Sequence, residues 1–129
     1  MKLLDNTFGI HAQSLQVKSR RLELLAKNIA NADTPNFKAK DVDFKAVLSA
    51  TRAQDSQIAS TQAGHFTQAD PLTPDGEKFR VPFSTSFDGN TVEIGVEQAQ
   101  YGKAASDYQA TLSFLENRIG GLRKALRGD

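Results

Sequence analysis

A chain of 129 residues with a net charge of +1 has the length of one domain and no excess charge to draw nucleic acid or an acidic membrane. It contains no Cys, which excludes disulfides, thiolate zinc sites and thiol nucleophiles. Its 39% hydrophobic and 24% charged content is ordinary for a soluble protein, and no apolar run approaches the roughly 20 residues of a membrane span.

The start, Met-Lys-Leu-Leu-Asp, lacks the continuous apolar core of a cleavable signal peptide. The expectation is cytoplasm, or export by a route that needs no such signal. From about Asp5 to Asn31 there is no Pro, and Leu4, Phe8, His11, Leu15, Lys18, Leu22, Leu25, Ile29 and Ala32 alternate at spacings of four and three. That is a heptad seam and predicts one long helix. A second stripe, Leu3, Ile10, Val17 and Leu24, lies about 100° around the same helix. Either both stripes form one broad face in a compact core, or they are two faces with different partners. Lys18, Arg20 and Arg21 make a basic patch whose plainest reading is a solvated face.

The first helix should stop near Asn31 to Asp33, because Pro35 disfavours helical geometry at Thr34. Phe37, Val42 and Phe44 are then apolar anchors expected to fold back on the helices. A short helical piece around Phe44 to Arg52 is possible. Ala53 to Ala63 read as loop, Asp70-Pro71 and Pro74-Asp75-Gly76 as turns. Phe79, Val81, Phe83 and Phe87 suggest one or two short strands, with Pro82 at an edge. Residues 1–32 carry five basic and two acidic groups and residues 33–92 six and eight, so the first helix is mildly basic and the middle mildly acidic.

The last helix can begin at Thr91 or Glu93, with Glu93 and Glu97 favourable at its positive end. Tyr101, Ala105, Tyr108, Leu112, Leu115, Ile119, Leu122 and Leu126 repeat the heptad spacing of the first helix. Each stripe needs a partner, and the two ends of the chain supply one for each other. Gly120 and Gly121 sit off this seam and cost roughly 2 kcal/mol of helix propensity together. They mark a frayed end or the close approach of a neighbouring helix.

The expected fold is therefore mainly α. A heptad helix in 1–32 and another in 91–129 pair as one coiled-coil-like domain, and 33–90 form a small irregular and β segment. The intramolecular seam takes Leu15, Leu22, Leu25, Ile29, Tyr108, Leu112, Leu115, Ile119 and Leu122. Leu3, Ile10, Val17 and Leu24, with Phe114 and Gly121 at the equivalent position of the last helix, are left for contacts between subunits.

Nothing in the chain reads as catalytic. His11 lies on the seam and His65 in the loop, without evident partners, so no metal site is expected. Gly95 to Gly102-Lys103-Ala104 has six intervening residues where a phosphate loop has four, and no hydroxyl after the Lys.

One stretch is specific. Leu25-Ala26-Lys27-Asn28-Ile29-Ala30-Asn31-Ala32-Asp33-Thr34-Pro35-Asn36-Phe37-Lys38-Ala39 closely resembles the signature of bacterial flagellar axial proteins, those of the rod, hook and hook–filament junction. Asn28, Ile29, Ala30, Asn31, Thr34, Pro35 and Phe37 carry the match. Asp41-Val42-Asp43-Phe44, Gly64-His65-Phe66 and Asp88-Gly89-Asn90-Thr91-Val92 narrow it to the basal-body rod family and, within it, to members of the proximal rod. Two places depart from the family: Asn36-Phe37 stands where Gly-Tyr is common, and Ile94-Gly95-Val96-Glu97 where charged residues are. The resemblance implies a structural subunit, exported through the flagellar type III apparatus without a cleaved signal. It implies helical stacking in the periplasm into the drive shaft that carries torque from motor to hook, and hence motility. It implies copies of itself, other rod subunits, the inner-membrane ring protein and a rod-base adaptor as partners, with no nucleic acid, cofactor or catalysis. The alternative from the heptads alone is a cytoplasmic coiled-coil adaptor.

Overall fold

A computed structural model describes residues 2–55 and 76–128, with side chains from Phe8 to Ala50 and from Gly76 to Gly128. The elements are α1 (Lys2–Ala30), β1 (Lys40–Val42), α2 (Phe44–Asp55), β2 (Glu77–Phe79) and α3 (Ile94–Arg127). At 1.5 Å per residue, α1 spans about 43 Å and α3 about 50 Å. The two pack side by side along their lengths. Asn28 bonds Glu97, while His11 stacks on Phe114, so residues descending in α1 meet residues ascending in α3 and the pair is antiparallel. The fold is the mainly helical one expected. Ala53 to Asp55, expected as loop, are instead the end of α2, which runs on past Arg52. The rest of that loop, 56–63, the turn at Asp70-Pro71, the motif Gly64-His65-Phe66 and the side chain of Leu3 lie outside the described residues.

The end of α1 is closed by its own sequence and by a distant one. Asn31 folds its amide back to the Lys27 carbonyl at 2.8 Å, and Thr34 Oγ1 donates to Asn31 Oδ1. The side chain of Asn90 then donates to the carbonyls of Asn31, Ala32 and Thr34 at 3.0, 2.9 and 2.8 Å. Its Oδ1 accepts the Val92 N–H at 2.7 Å, which starts the turn into α3. One buried amide thus ends one helix and opens the approach to the next. Asn90→Ala removes that donor from three carbonyls, of which those of Asn31 and Thr34 keep a backbone N–H; at about 1–3 kcal/mol for one unsatisfied buried polar group it should still lower the urea midpoint clearly. An unchanged midpoint would show that water replaces the amide without loss.

The turn after α1 demands a left-handed residue. Asn36 has φ 60° and Gly89, packed against it, φ 80°. A Cβ on Gly89 would fall 2.4 Å from Asn36 Oδ1 and push that side chain aside, but it is the left-handed φ that calls for glycine here. Asn is among the few side chains that tolerate αL, which is why it can stand where the family commonly has Gly. The Thr91 hydroxyl accepts the Ala39 N–H at 2.8 Å, so Thr91 anchors this turn and the helix starts after Glu93.

The strands are shorter than the alternation of Phe79 to Phe87 suggests. β1 and β2 pair antiparallel with Lys40 opposite Phe79, Asp41 opposite Lys78 and Val42 opposite Glu77. Arg80 still donates its N–H to the Ala39 carbonyl, and pairing ends there. Pro82, lacking an N–H, cannot extend the ladder. α2 has an N-cap that composition alone did not show: Asp43 Oδ1 accepts the Ala46 N–H at 3.1 Å. Among the described residues no helix is long and apolar enough to cross a membrane.

Candidate functional site

The apolar core is small: Leu24, Leu25, Ala39, Val42 and Ala104 are its buried members among the described residues. What locks the helix pair to the middle segment is polar. Asn28, buried in α1, donates to the Lys40 carbonyl at 2.8 Å and accepts the Lys40 N–H at 3.1 Å, so its amide pairs with β1 as a strand neighbour would. The same amide donates to Glu97 Oε2 at 3.1 Å. Glu97 is buried and its other oxygen takes Nη1 of Arg80. Arg80 Nη2 reaches Asp41 Oδ2 at 2.7 Å, and Arg21 Nε reaches Asp41 Oδ1 at 3.0 Å. Arg21 Nη2 also donates to Gln100 at 3.0 Å. The hub therefore joins α1, β1, the residue after β2, and the first turns of α3. No buried side-chain N or O atom among the described residues lacks a partner. Its polar atoms are spent on each other.

Arg20 and Arg21 correct the expectation of a solvated basic face. Arg20 bonds Glu77 and Glu23, and Arg21 bonds Asp41. The mildly basic first helix and mildly acidic middle segment are two sides of one set of ion pairs. The hydrogen bonds that Arg20 donates to Glu23 and Glu77 raise its pKa further above the ordinary value.

For Asp41, burial pushes the carboxyl pKa up, but Arg21, Arg80 and the Val42 N–H outweigh it and hold the group below the usual carboxylate range. A depressed folded value contributes stability above the unfolded carboxyl pKa of about 4. That contribution is lost as pH falls through the folded value. Stability should thus decline steadily below about pH 4, and Asp41→Asn should flatten this slope. Equal slopes for the two proteins in acid titrations of the denaturation midpoint would count against the assignment.

The seam residues fall as follows. Leu25 is fully buried, and Leu15, Leu22, Ile29, Tyr108, Leu112, Leu115 and Leu122 are half-buried. Ile119 is 41% exposed and stands at the seam's edge. The most buried line on α3 runs through Glu97 and Ala104 to Thr111, whose hydroxyl takes Lys18 Nζ at 2.6 Å. Polar contacts rotate the helix slightly from its apolar heptad.

Of the residues left for subunit contacts, Ile10, Phe114 and Gly121 are exposed and Val17 is half-buried. Leu24 differs. It is 4% exposed, so the chain itself already covers it. The helix runs unbroken through Gly120 and Gly121 to Arg127. Among the described residues no atom lies within 4 Å of a Cβ built on either glycine.

Asn28 and Asn90, the two buried amides that organise the hub and the turn, both sit in the stretches that carry the family resemblance. A family model described as Flagella basal body rod protein matches residues 9–38, which is most of α1 and the capped turn. A Flagellar basal body rod protein FlgB of Cereibacter sphaeroides is 42% identical over 121 residues, 94% of each chain. The chain belongs to the flagellar basal body rod protein family. Two further rod proteins of the same description extend the match: that of Aeromonas hydrophila is 41% identical over 97% of this chain and 96% of its own. That of Escherichia coli K12 is 36% identical over 96% and 95%. In this rod protein the strongest signature is thus tied to a fold requirement, the joining of the two terminal helices at one end.

Proposed function

We propose that this chain is a structural subunit of the proximal rod of the bacterial flagellar basal body. It stacks helically with copies of itself and other rod subunits into the shaft that carries torque to the hook, and motility requires it. The observation that carries this reading is identity to rod proteins along nearly the whole chain, across both helices and the middle segment. An antiparallel helix pair with a small core and an apolar outer stripe is what an assembly subunit needs. Its partners are the inner-membrane ring protein, the rod-base adaptor and the type III export apparatus, which passes it to the periplasm without cleaving a signal. In this reading its role is structural, with no catalysis.

The half-buried Val17, with exposed Ile10, Phe114 and Gly121, faces neighbouring subunits in this reading. Burying one such side chain contributes about 1.5–3 kcal/mol, repeated at every subunit. Val17→Asp should leave synthesis and export intact and block incorporation into basal bodies, with export and basal-body content assayed separately. Normal incorporation of the variant would remove Val17 from the interface. Absence of the wild-type chain from purified basal bodies would instead refute the rod assignment and favour the cytoplasmic adaptor.

A further inference from the structure

The turn Asp88-Gly89-Asn90 carries a chemistry that neither the hub nor the helix pair uses. Asp-Gly occurs twice in the sequence, at Asp75-Gly76 and here. A glycine after an aspartate leaves the next backbone nitrogen without a Cβ beside it, and gives it torsions closed to other residues. That nitrogen can reach the side-chain carboxyl carbon and close a five-membered ring. Asp88 is exposed, so water and protons have access to its carboxyl.

In the folded chain both reacting groups are engaged. The Gly89 N–H donates to the Ser86 carbonyl at 3.0 Å. Attack by this nitrogen requires loss of that proton, and the hydrogen bond holds it in place. Asp88 Oδ1 accepts the Asn90 N–H at 3.0 Å, which ties the carboxyl to the residue beyond Gly89. The Asp88 carbonyl accepts the Asn36 N–H at 2.9 Å, and Gly89 is held at φ 80°. Ring closure needs these torsions to rotate, so it waits on local opening of the turn.

We propose that Asp88 is a site of spontaneous isomerisation that the fold keeps shut, and that the isomerised chain can no longer close this turn. In the unfolded chain the Gly89 nitrogen attacks the Asp88 side-chain carboxyl carbon. The C–N bond forms as the carboxyl hydroxyl and the amide proton leave together as one water. One water then adds back. Addition at the side-chain carbonyl of the ring restores aspartate. Addition at the main-chain carbonyl breaks the original peptide bond. The chain then runs through the side-chain carbonyl, and the α-carboxylate is free. Mass and redox state are unchanged, but the backbone is one methylene longer between positions 88 and 89. Asn90 must hold one amide at 3.0, 2.9 and 2.8 Å from three carbonyls, and an added backbone atom displaces it. The end of α1 and the approach to α3 fail together, because both depend on Asn90. Time spent unfolded therefore exposes this chain to a lesson of its own chemistry: what folds late folds less completely. The inference goes beyond the rod reading and stands apart from it.

The test uses the purified full chain, incubated at about pH 5, where a fraction of the carboxyl is protonated, with and without guanidinium chloride. Peptide maps resolve isoaspartate, which has the mass of aspartate and resists an aspartate-specific endoprotease. The expected result is isoaspartate at position 88 in the denatured chain, formed at least about tenfold more slowly in the folded chain, where reaction waits on opening. The aged denatured chain is then returned to buffer, and the folded fraction is separated by gel filtration. Isoaspartate at position 88 should be depleted from that fraction. Asp88→Ser keeps a side-chain oxygen for the Asn90 N–H but offers no carboxyl carbon to attack. The same ageing should cost it a smaller share of its refolding yield than it costs wild type. Asp75-Gly76 is present in both chains, so the difference isolates position 88. Three results would each overturn the proposal: equal rates at position 88 in folded and denatured chain, isoaspartate there undiminished in the folded fraction, or equal losses of yield on ageing for Asp88→Ser and wild type.

Discussion

Glu97→Ala should destabilise the chain by about 3 kcal/mol, the loss that follows when one partner of a buried ion pair is removed. Glu97 is almost wholly buried and holds Arg80 and Asn28 at once. Truncation leaves the Arg80 guanidinium with Asp41 and the Asn28 amide with the backbone N–H and carbonyl of Lys40. That surviving Asp41 contact puts the expected loss at the lower end of the range. Glu97→Gln keeps the size and an oxygen for Asn28, and should fall between wild type and Glu97→Ala. Replacing the pair together, Glu97→Leu with Arg80→Met, should recover much of the loss, because no charge is then left buried alone. Urea denaturation of the three variants measures this. A Glu97→Ala protein within about 0.5 kcal/mol of wild type, the range of ordinary surface changes, would show that the hub adds nothing to stability.

Leu25→Ala should cost about 2–5 kcal/mol, because the side chain is fully buried and its removal leaves a cavity in a core that has few other large members. Leu126→Ala provides the contrast. It occupies a heptad position in the last helix, yet its side chain is 88% exposed, so its truncation in the isolated chain should be nearly silent. The pair of measurements separates position in a repeat from actual burial. Equal losses at the two sites would mean that the ends of the helices are as tightly packed as the hub end.

The helices and their pairing were legible because apolar spacing reports directly on a helix face. Leu15, Leu22 and Leu25 on one helix and Tyr108, Leu112 and Leu115 on the other are all buried or half-buried. The hub was not legible, because its members are polar and their partners lie far away in sequence. Glu97 reads as a charge suited to a helix start, and Arg80 as the spacer between Phe79 and Val81. Neither pattern says that they meet in a buried pair. Asn28 and Asn90 drew notice only through the resemblance, which names positions without giving reasons. The reason is backbone geometry: one amide pairs with a strand, the other caps three carbonyls. β1 is three residues long, too short for any alternation to register. The stripe that holds Leu24 has no second long helix to cover it, yet Leu24 is buried within the chain, where α1 packs on β1 and α2 as well as on α3.

The antiparallel register puts the start of α1 and the end of α3 at the same end of the rod-like pair, with the hub at the other. A force drawing on the start of α1 therefore meets the contacts in series rather than all at once. The helices come apart like the teeth of a zipper, past the ring of Phe114 and then the hydroxyl of Thr111, each a small step. The Asn28–Glu97–Arg80 junction is reached last. A narrow channel that accepts a chain by its leading end would find little mechanical resistance in this molecule until most of α1 had already been threaded.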